Sequence, residues 1–104
     1  ENFKLPHISW NVLIPKENKI LSWKNTILEN IECDQEVYFI HSFTSFPKEK
    51  NHILSETEYG GEKFCSSVKK DNIYGCQFHP EKSGKHGLKI IDNFCKITKQ
   101  HYNQ

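Results

Sequence analysis

The stretch GCQFHPEKSG, residues 75–84, decides how this chain is expected to fold. The apolar run over residues 73–78 is typical of a strand, and it leads directly into His79, Pro80 and Glu81. Pro80 fixes its own φ and disfavours the helical region for His79, so His79 should be extended. In an extended segment, side chains two residues apart point the same way, which places His79 and Glu81 on one side. A carboxylate there can orient the imidazole and stabilise its charged form, as a general base requires.

Two further blocks accompany this stretch. LPHISWN occupies residues 5–11, VYFIHSF occupies residues 37–43, and Tyr59-Gly60-Gly61 follows before the HPE motif. A bare HPE tripeptide would fit a solvated turn equally well, but three blocks in this order are much more specific. Together they resemble the class I (triad) glutamine amidotransferases, and within that family the glutaminase subunits of imidazole glycerol phosphate synthases. The resemblance covers nearly the whole chain, from about Leu5 to Phe94.

The resemblance implies an α/β fold and only part of a domain. The family has a flavodoxin-like three-layer sheet, to which this chain would contribute the C-terminal half, with a small antiparallel layer and a C-terminal helix. Its Cys nucleophile lies in a G-x-C-x-G-x-Q block upstream of the first matched block, and no such block occurs in this sequence. We therefore expect residues 1–104 to be the C-terminal part of a single glutamine amidotransferase domain whose N-terminal nucleophile half is absent.

The family's roles can be carried over residue by residue. His79 matches the catalytic base and Glu81 matches the acid that orients it. Ser42 and Phe43 match positions whose backbone holds the α-amino and α-carboxyl groups of the substrate glutamine.

Four other residues match the side of the family's fold that meets the synthase subunit. Trp10 and Tyr38 correspond to residues near the mouth through which ammonia leaves. Asn11 belongs with Trp10 to the partner face, and Lys82 matches a charged residue that docks onto the partner. Ser9 stands where the family usually has Gly.

The resemblance implies that the complete protein hydrolyses glutamine and passes ammonia to a synthase (cyclase) subunit in histidine biosynthesis. This chain alone is expected to be inactive, because it lacks the Cys nucleophile. Two alternatives stay open: a glutaminase that serves a sugar amidotransferase in surface-polysaccharide synthesis, and a non-catalytic module that binds a partner. The intact pair of His79 and Glu81 argues against the module.

Charge and hydropathy narrow the choice of partners. The chain carries 14 basic and 13 acidic residues with a net charge of +1 and no basic tract, so a nucleic-acid partner is not expected. No apolar run approaches the length needed to cross a membrane, so no membrane partner is expected either.

The four cysteines form no C-x-x-C pair, and we expect reduced thiols in a cytoplasmic protein with no cofactor. Cys76 and His79 could begin a zinc site, but no second pair at metal-ligand spacing accompanies them, so no metal is expected. Nor should Cys76 act as the nucleophile for His79, since three strand residues separate the two and their side chains point to opposite faces.

The remaining pattern predicts the other elements. Gly60-Gly61 between two alternating runs predicts a hairpin, and residues 37–40 predict a buried strand. Trp23, Ile27 and Ile31 recur at helical spacing. Residues 3–14 are expected to be extended, and the expected strands are residues 37–40, 53–59, 62–68 and 73–78. The expected helices are residues 23–31 and the segment that begins at Ser83-Gly84.

Overall fold

The structure is a computed structural model that describes residues 7–41 and 47–102. Its regular elements are β1 (His7–Val12), β2 (Ile14–Pro15), β3 (Glu36–His41), β4 (Ile53–Tyr59), β5 (Glu62–Lys70), β6 (Ile73–Cys76) and α1 (Gly84–Tyr102). Short 3₁₀-helices lie at Lys16–Asn18, Ile20–Trp23, Lys50–His52 and Pro80–Lys82. The α/β class is confirmed, with antiparallel strands followed by a C-terminal helix.

The strands form two antiparallel sheets. β1 pairs with β3, while β2, β4, β5 and β6 form a four-stranded sheet in that order. β1 and β2 are separated only by Leu13, whose exposed fraction is 0%. The segment over residues 3–14 that was predicted to be extended is therefore divided between two sheets, and its residues 3–6 lie outside the described part of the chain.

The β4–β5 hairpin is confirmed. Tyr59 pairs with Glu62, and the two residues between them, Gly60 and Gly61, have φ of 63° and 84°. Positive φ at both central positions is what a twisted two-residue hairpin requires, and glycine adopts it without steric cost. β5 continues to Lys70, and β6 ends at Cys76 rather than at Phe78 as predicted.

The predicted helix over residues 23–31 is wrong. The 3₁₀-helix ends at Trp23, and turns with hydrogen bonds from residue i+3 to residue i follow it. Asn25 and Asn30 have φ of 65° and 68°, in the left-handed region that interrupts a right-handed helix.

Tertiary hydrogen bonds replace the helical ones in this turn segment. The Asn93 side-chain amide on α1 donates to the carbonyls of Ile27 and Glu29, both at 2.9 Å. The Trp23 indole donates to the Leu54 carbonyl at 2.7 Å. The spacing of the apolar residues predicted which side chains would be buried, but it did not predict the backbone conformation of this segment.

The apolar core lies between the two sheets, the turn segment and α1. Its buried members are Leu13, Trp23, Ile27, Leu28, Ile31, Val37, Phe39, Leu54, Phe64, Phe78 and Ile90. Within α1 the apolar face is only partly covered, because Ile90 is 2% exposed while Leu88 and Phe94 are 66% and 45% exposed.

The two-stranded sheet has an uncovered apolar side. Ile8 pairs with Ile40, and Trp10 pairs with Tyr38, so these four side chains share one face. We call this the outer face. Ile8, Trp10 and Ile40 on it are 53%, 47% and 41% exposed, and contiguous apolar surface of this kind favours association.

We predict that this chain self-associates through the outer face. Replacing both Ile8 and Ile40 by Lys should reduce the sedimentation coefficient and the binding of a hydrophobic dye, because paired charges interrupt the patch. Ile73→Lys is the matched control, since Ile73 is 71% exposed but belongs to β6. A parent chain that sediments as a monomer and binds no dye would contradict the prediction.

Candidate active site

The segment that follows β6 places His79 beside β3. Phe78 forms a single antiparallel bridge with Phe39, and the His79 N–H donates to the Tyr38 carbonyl at 2.9 Å. His79 has φ −109° and ψ 96°, the extended conformation expected before Pro80. The Pro80–Lys82 3₁₀-helix then turns the chain toward α1.

His79 and Glu81 are in direct contact. Their Nδ1 and Oε2 atoms are 2.8 Å apart, and their side chains are 37% and 59% exposed. Because a carboxylate can only accept, the neutral imidazole donates from Nδ1 and presents Nε2 as the nitrogen that can take a proton. The hydrogen bond from His79, followed by one from a backbone amide, lowers the pKa of Glu81 and keeps it ionised.

Trp10 and Tyr38 meet on the outer face. They are direct cross-strand partners, and their rings make an edge contact with centroids 5.7 Å apart. Lys82 is exposed on the turn that follows His79. Tyr38 therefore lies next to His79 through its backbone and next to Trp10 through its side chain.

The Asn11 side chain is occupied within the fold. Its amide donates to the Glu58 carbonyl on β4 at 2.8 Å, and its Oδ1 accepts from the Val12 N–H at 2.8 Å. It alternates with Trp10 along β1 and so does not share the outer face. Ser42 and Phe43 lie outside the described residues, directly after His41 at the end of β3.

None of the cysteines hydrogen-bonds to His79 in the described part of the chain. Cys65 is buried, and loss of solvent raises its pKa to about 11, which keeps it a neutral thiol near pH 7. Cys33, Cys76 and Cys95 are exposed free thiols. Over residues 7–41 and 47–102, no three His, Cys, Asp or Glu side chains are grouped so that they could hold a metal ion.

Sequence reasoning missed the part played by Ser83. It is 1% exposed, accepts from the Tyr38 N–H at 2.8 Å and donates to the His79 carbonyl at 2.6 Å. A serine before a helix predicts a cap that binds the helix's own amides. Here the hydroxyl instead joins β3 to the turn, across a separation of 45 residues that no local pattern reveals.

The model of the class I glutamine amidotransferase family matches residues 2–98. This chain belongs to the class I glutamine amidotransferase family. Among its relatives, imidazole glycerol phosphate synthase subunit HisH 1 of Legionella pneumophila (strain Lens) is 46% identical over 94 residues, which are 90% of this chain and 44% of the relative. The HisH subunit of Pelagibacter ubique is 48% identical over 96 residues, covering 91% of this chain and 42% of that protein.

HisH of Aquifex aeolicus is 44% identical over 91 residues, which are 88% of this chain and 41% of the relative. The amidotransferase chain thus spans less than half the length of the curated relatives that it matches. The matched portion is their C-terminal part.

We predict that His79→Ala raises the pKa of Glu81 toward the ordinary glutamate value, because the largest cause of its lowering is removed. In the parent, the carboxylate form should persist below the usual glutamate range and be lost only as the pH falls through the lowered pKa. A ¹³C NMR titration of the Glu81 carboxyl group measures this. His86→Ala is the control, and an unchanged Glu81 titration in His79→Ala would refute the prediction.

Gly87 should not tolerate a side chain. A Cβ there would lie 1.9 Å from the Pro80 carbonyl oxygen and 2.8 Å from the Ser83 Cβ. Gly→Ala inside an exposed helix normally stabilises by about 1 kcal/mol, whereas we expect Gly87→Ala to destabilise by about 1–3 kcal/mol.

Urea denaturation measures the effect of Gly87→Ala. In the control Gly75→Ala, the new Cβ would meet only the Val68 Cγ2 at 3.2 Å. A Gly87→Ala variant as stable as the parent would contradict the close packing of α1 against the Pro80–Lys82 turn.

Proposed function

We propose that this chain forms the catalytic-base part of a glutaminase. In the complete protein it would hydrolyse the side-chain amide of glutamine and pass the ammonia to the synthase (cyclase) subunit of imidazole glycerol phosphate synthase, in histidine biosynthesis. The observation that carries this is the 2.8 Å contact between His79 Nδ1 and Glu81 Oε2 in an exposed turn. The names of the relatives support this acceptor over a sugar amidotransferase.

The proposed chemistry needs a nucleophile, a base, a group that orients the base and an oxyanion hole. His79 Nε2 takes the proton of a Cys thiol, and the thiolate attacks the amide carbon of glutamine. The resulting imidazolium, stabilised by Glu81, returns that proton to the nitrogen as ammonia leaves. A water molecule, deprotonated by His79 Nε2, then attacks the thioester carbon, and the imidazolium returns that proton to the departing Cys sulfur as glutamate forms.

The nucleophile in this proposal comes from outside the chain. The raised pKa values of Cys65 and Cys76, about 11 and about 12, make both thiols poor candidates. The relatives are more than twice as long as the region that they share with this chain, which leaves room for an N-terminal half of the same domain. The chain alone should release no glutamate.

We propose that the backbone at Ser42 and Phe43 holds the α-amino and α-carboxyl groups of glutamine. These residues directly follow β3, and the Tyr38 carbonyl of that strand accepts from the His79 N–H.

We propose that the synthase subunit binds the outer face, with the ammonia passage near Trp10 and Tyr38. The exposure of Ile8, Trp10 and Ile40, and the exposed charge of Lys82 on the turn that follows His79, support this. Asn11 would contribute by holding β1 against β4, through its bond to the Glu58 carbonyl.

The proposed setting is a cytoplasmic enzyme that acts on a small molecule, without nucleic acid, membrane or cofactor. The four free thiols are compatible with a reducing compartment. Within the described residues, no helix is both long and apolar enough to span a bilayer.

The test is glutamate release by the complete protein with the synthase subunit and its acceptor ligand present. His79→Ala should abolish nearly all turnover. Glu81→Gln should keep a measurable fraction, because the base remains and only its orientation and charge stabilisation suffer. His52→Ala, on a 3₁₀-helix elsewhere in the fold, is the control.

Two outcomes would count against the proposal. Full activity of His79→Ala would remove His79 from the chemistry. If the parent binds the synthase subunit but hydrolyses no glutamine under any condition, the chain is better described as a non-catalytic partner-binding module.

A further inference from the structure

Ser83 is a buried hydroxyl beside the proposed base that the chemistry above leaves without a role. Its exposed fraction is 1%. It lies between the Pro80–Lys82 3₁₀-helix and α1, where a capping serine would bind the amides of its own helix. Its Oγ instead bonds to β3 and to His79.

Three hydrogen bonds form a closed ring around this hydroxyl. The Tyr38 N–H donates to Ser83 Oγ at 2.8 Å, and Ser83 Oγ donates to the His79 carbonyl at 2.6 Å. The His79 N–H donates back to the Tyr38 carbonyl at 2.9 Å. Both backbone polar groups of His79 are thereby tied to one residue of β3, and a serine hydroxyl can serve both because it donates and accepts at once.

This ring of hydrogen bonds restrains the His79 backbone, whose position sets the direction of the imidazole. With the His79 backbone fixed, only two side-chain torsions remain, and the contact with Glu81 fixes those from within the same turn. Without the hydroxyl, the Tyr38 N–H would lose its acceptor in a part-buried place, and of the three bonds in the ring only the one from the His79 N–H to the Tyr38 carbonyl would still hold the turn to β3. A displacement of about 1 Å at a catalytic group can cost on the order of 100-fold in rate.

We propose that Ser83 is a positioning residue that holds the His79 backbone against β3 and so keeps the His79–Glu81 contact formed. Its effect on turnover rests on the proposed glutaminase function. The positioning itself is a property of the fold that can be measured without turnover.

The experiment compares Ser83→Ala with Ser55→Ala in the complete protein. Ser55 is a matched control, since it is 0% exposed and its Oγ bonds to the hydroxyls of Ser66 and Ser67 at 2.8 and 2.6 Å, within the β4–β5 hairpin. Both variants lose buried hydroxyl bonds and should show a lower Tm. Only Ser83→Ala should change the position of the His79 imidazole.

Two readouts separate positioning from stability. In Ser83→Ala we expect kcat for glutamine hydrolysis to fall about 10- to 100-fold with KM little changed, because the substrate contacts are untouched. The ¹⁵N NMR spectrum of the His79 ring, assigned with a His79→Gln variant, should change from a single Nδ1–H tautomer to a mixture. Ser55→Ala should keep the parent kcat and the parent tautomer.

The proposal is overturned if Ser83→Ala keeps both the parent kcat and the single tautomer. If Ser83→Ala does not fold, amide exchange in the parent decides: slow exchange of the Tyr38 N–H supports the ring, and fast exchange overturns it. Failure of the glutaminase proposal can be told apart from failure of the positioning proposal. In that case His79→Ala would keep its turnover, while the tautomer shift in Ser83→Ala would still report on positioning.

Discussion

The site depends on the backbone pairing of β3 with Phe78 and His79. An isolated bridge joins Phe39 to Phe78, and it connects the two-stranded sheet to the segment that follows β6, the last strand of the four-stranded sheet. Both rings are buried, at 0% and 3% exposed, and their centroids are 5.8 Å apart. Phe64 on β5 closes the cluster with an edge contact to Phe39 at 5.9 Å. Burial of each ring stabilises the fold by about 1.5–3 kcal/mol, so apolar packing fixes the position at which a polar site begins.

Local rules predicted the parts of the fold whose causes are local. The Gly60-Gly61 turn follows from glycine's tolerance of positive φ. Pro80 likewise forces extension on His79, as predicted, but Glu81 lies in the Pro80–Lys82 3₁₀-helix, so a turn rather than strand alternation brings the two side chains together. The sequence alone therefore identified the two residues of the contact that carries the proposed function, but not the backbone conformation that joins them.

The features that sequence reasoning missed have distant causes. The spacing of Trp23, Ile27 and Ile31 fits a helix, but Asn93 supplies donors to this segment across 64 and 66 residues and stabilises turns instead. Ser83 similarly resembles a cap until its partner on β3 is known. A side chain that hydrogen-bonds to a backbone group far away in the sequence produces no periodic pattern. Hydropathy patterns therefore predict burial better than they predict such long-range hydrogen bonds.

The division of residues 7–15 between two sheets has a consequence for how the protein fluctuates. β1 belongs with β3 and the base, β2 belongs with the hairpin, and Leu13 between them is buried. Two side-chain bonds also cross this junction, from Asn11 to the Glu58 carbonyl and from Thr57 to the Val12 carbonyl. Because these contacts would be strained if one sheet opened alone, we expect the two sheets to act as one cooperative unit in local unfolding. The free energy needed to displace the exposed His79 imidazole should therefore be close to that of opening the hairpin, and higher than that of opening a surface loop.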